Sequence, residues 1–218
     1  MSKNCFISWS GGKDSCMALY KAMQLGFTPQ ILMTMFNVES GISAAHRQKE
    51  QIFDAQADAL GFKSIIVKTP FDDYEKNFVD TLKSLKQQGI DYGIFGDMDV
   101  EPHREWVSRV CQKASMEAVL PLWQTDRHVF INEFFELGFK AKIVLVDTKV
   151  LGAEFLGQDL SLPLIKEMEQ CGADICGENG EYHTLIYDGP VFHKPVDLKH
   201  DGTVFWVEDR WAQIKAFV

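Results

Sequence analysis

Six residues near the N-terminus have the types and spacing of an anion-binding loop: Ser10, Gly11, Gly12, Lys13, Asp14 and Ser15. Two glycines permit a tight turn and let an anion approach the backbone, and the first N–H groups of a helix lack intrahelical partners. Lys13 adds a cation, the serines add hydroxyl donors, and Asp14 can cap the helix or hold Mg²⁺. The stretch predicts a phosphate-binding loop. The plainer alternative is a strand–helix turn capped by Asp14, with Lys13 in solvent.

A second polar stretch, residues 174–184, lies in the C-terminal half between two apolar segments. Its glycines alternate with groups that hydrogen-bond or transfer protons, namely Glu178, Asn179, Glu181, His183 and Thr184. We expect Glu178, Asn179, Glu181 and His183 to form a substrate site. Asp174 is expected to be an ordinary surface residue, and His183 alone could equally be a structural histidine that opens a strand.

The elements that position the first loop alternate between strand and helix up to about residue 120. Short apolar runs predict strands over residues 5–9, 30–36, 64–67, 92–95 and 117–122. Helical spacing and stop signals predict helices over residues 16–25, 46–60, 72–88 and 101–115, the third capped by Asp72 or Asp73. This alternation is typical of a parallel sheet with helices on both faces, whose ligand lies beyond the carboxyl ends of the strands. Asp97 and Asp99 follow the fourth strand, so they can approach the glycine loop.

The pattern changes near residue 123, where we expect a smaller α+β domain to begin. Two helices are predicted, one capped by Thr125 and ending at Gly138, and one over residues 160–170 capped by Ser161. Strands are predicted over residues 142–146, 183–187, 191–192 and 203–207. The expected division is therefore residues 1–123 and residues 124–218.

Composition excludes several classes of protein. The net charge of −9 over 218 residues argues against non-specific binding to nucleic acid or anionic membranes. The five cysteines form no C-x-x-C pair, which disfavours a disulfide framework and a four-cysteine zinc site. No apolar run approaches the ~20 residues that span a bilayer, and we expect a cytoplasmic protein without a signal peptide.

Several blocks of the sequence resemble known proteins. The Ser10–Ser15 loop resembles the phosphate loop of the N-type ATP pyrophosphatases, also called PP-loop proteins. Further blocks resemble the diphthine–ammonia ligase (diphthamide synthase) branch and occur in its order over nearly the whole chain: residues 96–98, 104–111, 120–123, 138–141 and 176–184. Of these, Cys-Gly-Glu-Asn-Gly-Glu-Tyr-His-Thr is the most specific.

The resemblance implies an adenine-nucleotide α-hydrolase-like domain with a doubly wound, five-stranded parallel sheet, followed by a small substrate domain. It also implies ATP-dependent amidation, in which a carboxylate is adenylated with loss of pyrophosphate and ammonia then displaces AMP. Nucleotide contacts are expected from Ser10, Gly11, Gly12, Lys13, Asp14, Ser15, His46, Gly96 and Asp97, with Mg²⁺ on Asp14. Catalytic roles are expected for Lys13, Glu178, Glu181 and His183, and substrate contacts for Asn179, Gly180, Tyr182 and Thr184.

The acceptor of the nitrogen stays open at this point. ATP and ammonia are the expected substrates, together with a diphthine-bearing translation elongation factor or a small carboxylate, and a homodimer is possible. Residues 41–45 lack the aromatic run that precedes the matching histidine in many family members, so the substrate is the least defined feature. The alternatives are a PP-loop enzyme that acts on tRNA and a nucleotide-binding protein without catalysis.

Overall fold

The N-terminal part of the chain alternates strands and helices, as predicted. The computed structural model describes residues 2–218. The strands are β1 (Lys3–Ser8), β2 (Phe27–Asn37), β3 (Ile42–Ser43), β4 (Lys63–Thr69), β5 (Tyr92–Ile94) and β6 (Glu117–Val119). The helices are α1 (Lys13–Gln24), α2 (Glu50–Leu60), α3 (Tyr74–Gln87) and α4 (Glu101–Lys113).

Five of these strands form a parallel sheet in the order β4-β2-β1-β5-β6, which confirms the predicted sheet. The two-residue strand β3 adds antiparallel pairing at the end of β2. The chain runs outward from β1 to β4 and then returns to the other side of β1 as β5. The strand order therefore reverses between β1 and β5, where a crevice opens at the carboxyl ends of the strands.

Helices cover both faces of this sheet. Along β1, Cys5 and Ile7 belong to one hydrophobic core, while Phe6 between them belongs to another. The Phe6 side is covered by α3 and α4, and the opposite side by α1 and α2. Because successive side chains of a strand point to opposite faces, this division confirms the doubly wound arrangement.

The C-terminal part is α+β, also as predicted. It contains the helices α5 (Arg127–Glu136) and α6 (Leu162–Gln170) and the strands β7 (Lys140–Asp147), β8 (Tyr182–Asp188), β9 (Val204–Val207) and β10 (Trp211–Ile214). These strands form an antiparallel sheet in the order β8-β7-β10-β9. One continuous core joins this part to α1 and α2, and within it the rings of Tyr20 and Phe139 lie 5.9 Å apart. The domain boundary at residue 123 stays a prediction.

Two predicted helix starts were wrong. Helix α2 begins at Glu50 rather than at His46, because Arg47 has a φ of +55° and interrupts any right-handed helix there. Helix α1 begins at Lys13 with Gly12 at its N-cap position, so Asp14 lies in the first turn instead of capping it.

One predicted cap was wrong, and another has the predicted position without the capping bond. Helix α5 is capped by Asp126, not Thr125, and the Asp126 carboxylate accepts hydrogen bonds from the backbone N–H groups of His128 and Val129 at 2.9 and 3.1 Å. A carboxylate at this position is also favoured by the helix dipole. Asp73 lies at the N-cap position of α3, as predicted, but its side chain makes no capping bond, and residues Phe71–Asp73 form a 3₁₀ turn. Ser161 caps α6 as predicted, through its bond with Leu164 N.

The remaining differences concern strands. Residues 191–192 form a turn rather than a strand, since Phe192 N bonds to Gly189 O. Strand β6 ends at Val119, because Trp123 N closes a turn onto Leu120 O. Strand β10 was not predicted, because its residues Trp-Ala-Gln-Ile lack a strong strand pattern.

None of the helices within residues 2–218 combines the length and apolar character that a bilayer crossing requires. All five cysteines are free thiols; four of them are buried and Cys171 is exposed.

Candidate active site

The glycine loop follows β1 and is held in close contact with the C-terminal part. Gly11 has a φ of +82°, which favours glycine, and a Cβ there would lie 2.9 Å from Gln56 Oε1. A Cβ on Gly12 would lie 2.4 Å from His46 Cε1 and 2.9 Å from the carbonyl oxygen of Thr184. Both glycines are therefore required by backbone conformation or packing.

Hydrogen bonds from β8 and α2 fix the loop. Lys13 N donates to Thr184 Oγ1 at 3.1 Å, and Ile186 N donates to Gly11 O at 2.9 Å. The Gln56 amide nitrogen bonds to both Gly11 O and Ile186 O, at 2.9 and 2.7 Å. The Ser10–Ser15 loop and β8 are thus joined by direct hydrogen bonds, although they are about 170 residues apart in sequence.

A cavity of about 710 Å³ opens beside the loop and β8. Its lining includes most of the residues predicted for the site: Ser10, Lys13, Asp14, Ser15, His46, Gly96, Asp97, Glu178, Asn179, Gly180, Tyr182, His183 and Thr184. The walls of this cavity come from the carboxyl ends of β1 and β5 and from the 177–184 segment. The structure therefore brings together residues from both halves of the chain, and the roles predicted for them stay predictions.

Lys13 is a buried cation at the centre of the site. Its side chain is only 3% exposed, and its Nζ lies 3.0 Å from the Asp14 carboxylate and 5.2 Å from the centre of the Tyr182 ring. Burial by itself lowers the pKa of Lys13, but attraction to Asp14 and Tyr182 raises this pKa above its ordinary value. Lys13 consequently keeps its charge at neutral pH.

Asp14 is the residue best suited to a metal ion. Its Oδ1 is buried and accepts no hydrogen bond, although the Lys13 ammonium lies close to it. Within residues 2–218 there is no cluster of three or more His, Cys, Asp or Glu side chains of the kind that holds a metal by itself. Mg²⁺ is commonly held by one or two carboxylates together with substrate phosphates. A single carboxylate at a phosphate-binding type of loop, with one oxygen that accepts no hydrogen bond, fits that pattern.

The loop after β5 completes this side of the cavity. A Cβ on Gly96 would lie 2.9 Å from Asp14 C and 3.0 Å from Ser15 N, so only glycine allows the two loops to approach so closely. Asp97 Oδ1 lies 3.0 Å from His103 Nδ1 at the cavity wall.

Two histidines line the cavity as a pair. The rings of His46 and His183 have centres 4.9 Å apart, and the buried Nδ1 of His46 makes no hydrogen bond. Burial, the neighbouring His183 and the Lys13 charge hold the pKa of His46 well below its usual range. Burial and the Lys13 charge lower the pKa of His183 to about 4. Both rings are therefore neutral at physiological pH.

Glu178 is unusual among the carboxylates of the site. Burial and repulsion from Asp14 raise the pKa of Glu178 to about 8, against a smaller lowering by Lys13. A carboxylate that titrates near neutral pH in a cavity is suited to accepting a proton.

Other residues of the 174–184 segment are used to build it. Glu181 is 6% exposed, and its carboxylate accepts bonds from Asp174 N at 2.9 Å and from Asn179 N and Nδ2 at 3.1 and 3.0 Å. The structure does not place Glu181 among the residues that line the cavity, and the proton-transfer role predicted for it stays a prediction. The Tyr182 hydroxyl donates to Ile175 O at 2.7 Å, which leaves the face of its ring for Lys13.

Sequence reasoning missed several residues that line the cavity, among them His103, Arg210 and Trp211. Arg210 bonds to the buried Asp147 at 2.6 and 2.9 Å, and its guanidinium lies 4.9 Å from the centre of the Trp211 ring. The Trp211 ring lies 6.3 Å from that of His183. No local motif marks Arg210 and Trp211, since the unpredicted strand β10 places them. His103 contacts Asp97, which was predicted to lie near the site, and this is the one signal that could have indicated His103.

The Ser10–Ser15 motif lies where the strand order of a parallel sheet reverses. This combination is typical of the PP-loop class of nucleotide-binding α/β proteins. Two family models match the chain in succession: the diphthamide synthase N-terminal domain over residues 3–118 and the diphthamide synthase C-terminal domain over residues 126–218. The chain therefore belongs to the diphthamide synthase family.

Two curated relatives agree with this assignment. A diphthine–ammonia ligase of Danio rerio is 26% identical, over 94% of this chain and 90% of that protein. A diphthine–ammonia ligase of Homo sapiens is 23% identical, over 94% of this chain and 86% of that protein. Among solved structures, a predicted subunit of tRNA methyltransferase from Methanocaldococcus jannaschii matches 88% of this chain and 100% of its own, with 18% identity and a TM-score of 0.45.

Proposed function

We propose that this protein is an ATP-dependent ligase that forms an amide from a substrate carboxylate and ammonia, releasing AMP and pyrophosphate. One observation carries the proposal. A single cavity contains both the phosphate-type loop with the buried Lys13 and the Glu178–Thr184 segment of the C-terminal part. Membership of the diphthamide synthase family and the names of the relatives, diphthine–ammonia ligases, support it.

In the first step, an oxygen of the substrate carboxylate attacks the α-phosphorus of ATP. The bond between this phosphorus and the oxygen that bridges to the β-phosphorus breaks. Pyrophosphate leaves, and an acyl-adenylate remains in the cavity. Negative charge grows on the phosphate oxygens, where the fixed Lys13 cation and the N–H groups that open α1 stabilise it. In its Nδ1–H tautomer the neutral His46 ring is a further proposed donor, because this nitrogen has no other partner.

In the second step, ammonia attacks the acyl carbon and the bond to AMP breaks. Ammonium loses its first proton to the solvent before the attack, and the nitrogen loses a second proton, which needs an acceptor in the cavity, as the amide forms. Glu178 in its carboxylate form is the proposed acceptor, because its pKa of about 8 matches this task better than His183 with a pKa of about 4. The neutral His183 ring beside it is proposed to orient the incoming nitrogen.

Mg²⁺ is proposed to bind Asp14 together with the phosphates, where it would neutralise phosphate charge. Asp97, which lines the cavity on the same side as Asp14, is proposed to contact the nucleotide as well. The proposed acceptor is a translation elongation factor that carries diphthine, by analogy with the named relatives. A small carboxylate is the second candidate. We expect the reaction to take place in the cytoplasm.

The test is an assay of products. Purified protein with Mg²⁺-ATP, ammonium chloride and a diphthine-bearing elongation factor is expected to release AMP and pyrophosphate in equal amounts and to add one amide per AMP. ADP and orthophosphate as the only nucleotide products would refute cleavage between the α and β phosphates. AMP release that depends on a small carboxylate instead of the elongation factor would keep the reaction and change the acceptor. AMP release that depends on tRNA would favour the tRNA-acting alternative, against which the net charge of −9 argues.

A further inference from the structure

Arg127 joins the two walls of the cavity without lining it. It is the first residue of α5, and its side chain is 30% exposed. Its Nη1 lies 2.7 Å from Asp99 Oδ2, in the loop after β5, and its Nε lies 2.5 Å from Asp174 Oδ2, at the start of the polar segment. One guanidinium thus bridges a carboxylate from each half of the chain.

The bridge continues into the backbone that carries Glu178. The second oxygen of Asp174 accepts hydrogen bonds from Cys176 N at 2.8 Å and from Glu178 N at 3.4 Å. The Cys176 thiol lies 3.6 Å from the carbonyl oxygen of Arg127, which adds a second contact between α5 and the segment. Arg127 therefore fixes one end of the segment through Asp174, while Glu181 fixes its interior.

The position of this arginine on its helix is costly for the helix itself. A cation in the first turn is repelled by the partial positive charge of the helix N-terminus. Helix stability gives no reason for an arginine at this position, and the two carboxylates that compensate its charge both lie in segments whose other residues line the cavity.

We propose that Arg127 is a positioning residue that holds the Glu178 segment against the loop after β5, so that ammonia instead of water reaches the acyl-adenylate. This inference rests on the proposed function and deepens it. Arg127 itself contacts no reacting atom. Its removal is expected to leave ATP binding intact and to uncouple ATP cleavage from amide formation.

The test compares three variants of the full-length protein. Arg127→Gln removes the bridge, and Arg127→Lys keeps the charge but loses the rigid fork that reaches two carboxylates at once. Asp174→Asn keeps an acceptor for Cys176 N and Glu178 N but breaks the charged contact with Arg127. Arg109→Gln, which removes an ion pair between α4 and Glu75 of α3, away from the cavity, is the matched control.

The first readout is amide formed per AMP released, with a diphthine-bearing elongation factor as acceptor. We expect Arg127→Gln and Asp174→Asn to lower this ratio and to raise the KM for ammonium, each by about tenfold, since a charge-assisted hydrogen bond is lost. The Kd for ATP is expected to stay unchanged, Arg127→Lys to recover part of the ratio, and Arg109→Gln to match the wild type. A ratio of amide to AMP in Arg127→Gln equal to that of the wild type would overturn the proposal, whether or not the Kd for ATP is weaker.

The second readout does not depend on the reaction. Hydrogen exchange of peptides covering residues 174–181 is expected to be faster in Arg127→Gln and Asp174→Asn, with no change over residues 10–24. Equal exchange in wild type and variants overturns the positioning role. If wild-type protein releases no AMP and pyrophosphate, the proposed function fails and the exchange data alone decide the role of Arg127. If Arg127→Gln does not fold, Asp174→Asn decides it.

Discussion

The two segments that meet in the cavity are built in opposite ways. The Ser10–Ser15 loop is a local structure, in which a buried strand, two glycines and a helix start follow one another in sequence. The 174–184 segment depends on distant residues, because Arg127 and Asp99 hold its start and β8 continues from its end. A short motif is sufficient to recognise the first segment. The function of the second is visible only once the chain has folded.

The same difference extends to the electrostatics. In the first segment Lys13 is paired with its own sequence neighbour Asp14, so its charge is fixed locally. In the second, the raised pKa of Glu178 comes from burial and from Asp14, 164 residues earlier in the chain. The N-terminal loop therefore provides a permanent charge, and the C-terminal segment provides a group whose charge responds to its surroundings.

The largest expected effect comes from the permanent charge. Lys13→Ala is expected to lower the rate of AMP release by about 10²–10³-fold, the size typical of a lost electrostatic contact to a transition state. Lys21→Ala is the matched control, because Lys21 lies on the same helix but pairs with Glu133 outside the cavity. Steady-state rates of AMP release measure both. Equal rates in Lys13→Ala and wild type would remove Lys13 from the site.

The next effect separates the two segments by function. Glu178→Gln is expected to lower amide formation by about 10²-fold, as for a lost general base, while the Kd for ATP stays unchanged. Glu181→Gln serves as the comparison, since it alters a carboxylate that only builds the segment. It is expected to lower the melting temperature more than Glu178→Gln does. Loss of ATP affinity in Glu178→Gln would place this residue at the nucleotide instead.

The raised pKa of Glu178 also predicts how stability depends on pH. Between pH 4.5 and about 8 the folded protein binds more protons at Glu178 than the unfolded chain does, so this residue makes stability fall as pH rises. The free energy of unfolding of Glu178→Gln is therefore expected to be larger than that of the wild type by about 1–2 kcal/mol at pH 9, after allowance for solvent screening. At pH 4 the two free energies are expected to be equal. Urea unfolding without nucleotide or magnesium measures the difference. A wild type that is the more stable at pH 9 would contradict the raised pKa.

The smallest expected effect concerns the contact between the segments. Thr184→Val removes the acceptor of Lys13 N and is expected to cost about 1 kcal/mol of stability, together with a several-fold weaker Kd for ATP. Thr81→Val is the control, because that hydroxyl bonds only to Asn77 O within α3. Urea unfolding and calorimetric ATP titration measure the two effects. If Thr184→Val and Thr81→Val have the same Kd for ATP, the contact does not shape the phosphate site.

Much of the fold follows from local sequence signals. Apolar strands and glycine stops predicted the five parallel strands and the position of Ser10–Ser15 at the carboxyl end of β1. Boundaries failed where a single residue overrides the pattern, as at Arg47 with its positive φ and at Asp126 with its stronger cap. Strand β10 failed because pairing with β7 and β9, not its own composition, makes it a strand.

The candidate site was predictable in residue types but not in orientation. The glycine-rich spacing marked residues 174–184, yet no sequence signal indicates that Glu178 borders the cavity while Glu181 bonds to the segment's own backbone. Asp174, expected to be an ordinary surface residue, anchors the segment instead, because Arg127 reaches it from α5. Such roles are set by contacts between distant elements, which a single sequence does not reveal.

The central claim is that ATP binds with its phosphates on the Ser10–Ser15 loop and its α-phosphate facing Glu178 and His183. A crystal structure with Mg²⁺ and an ATP analogue that carries a methylene bridge between the α and β phosphorus atoms tests it most directly. We expect the phosphate oxygens to contact Lys13 and the N–H groups that open α1, with the α-phosphate exposed toward the 178–183 segment. A nucleotide bound elsewhere, or an empty loop at saturating analogue, would contradict the account.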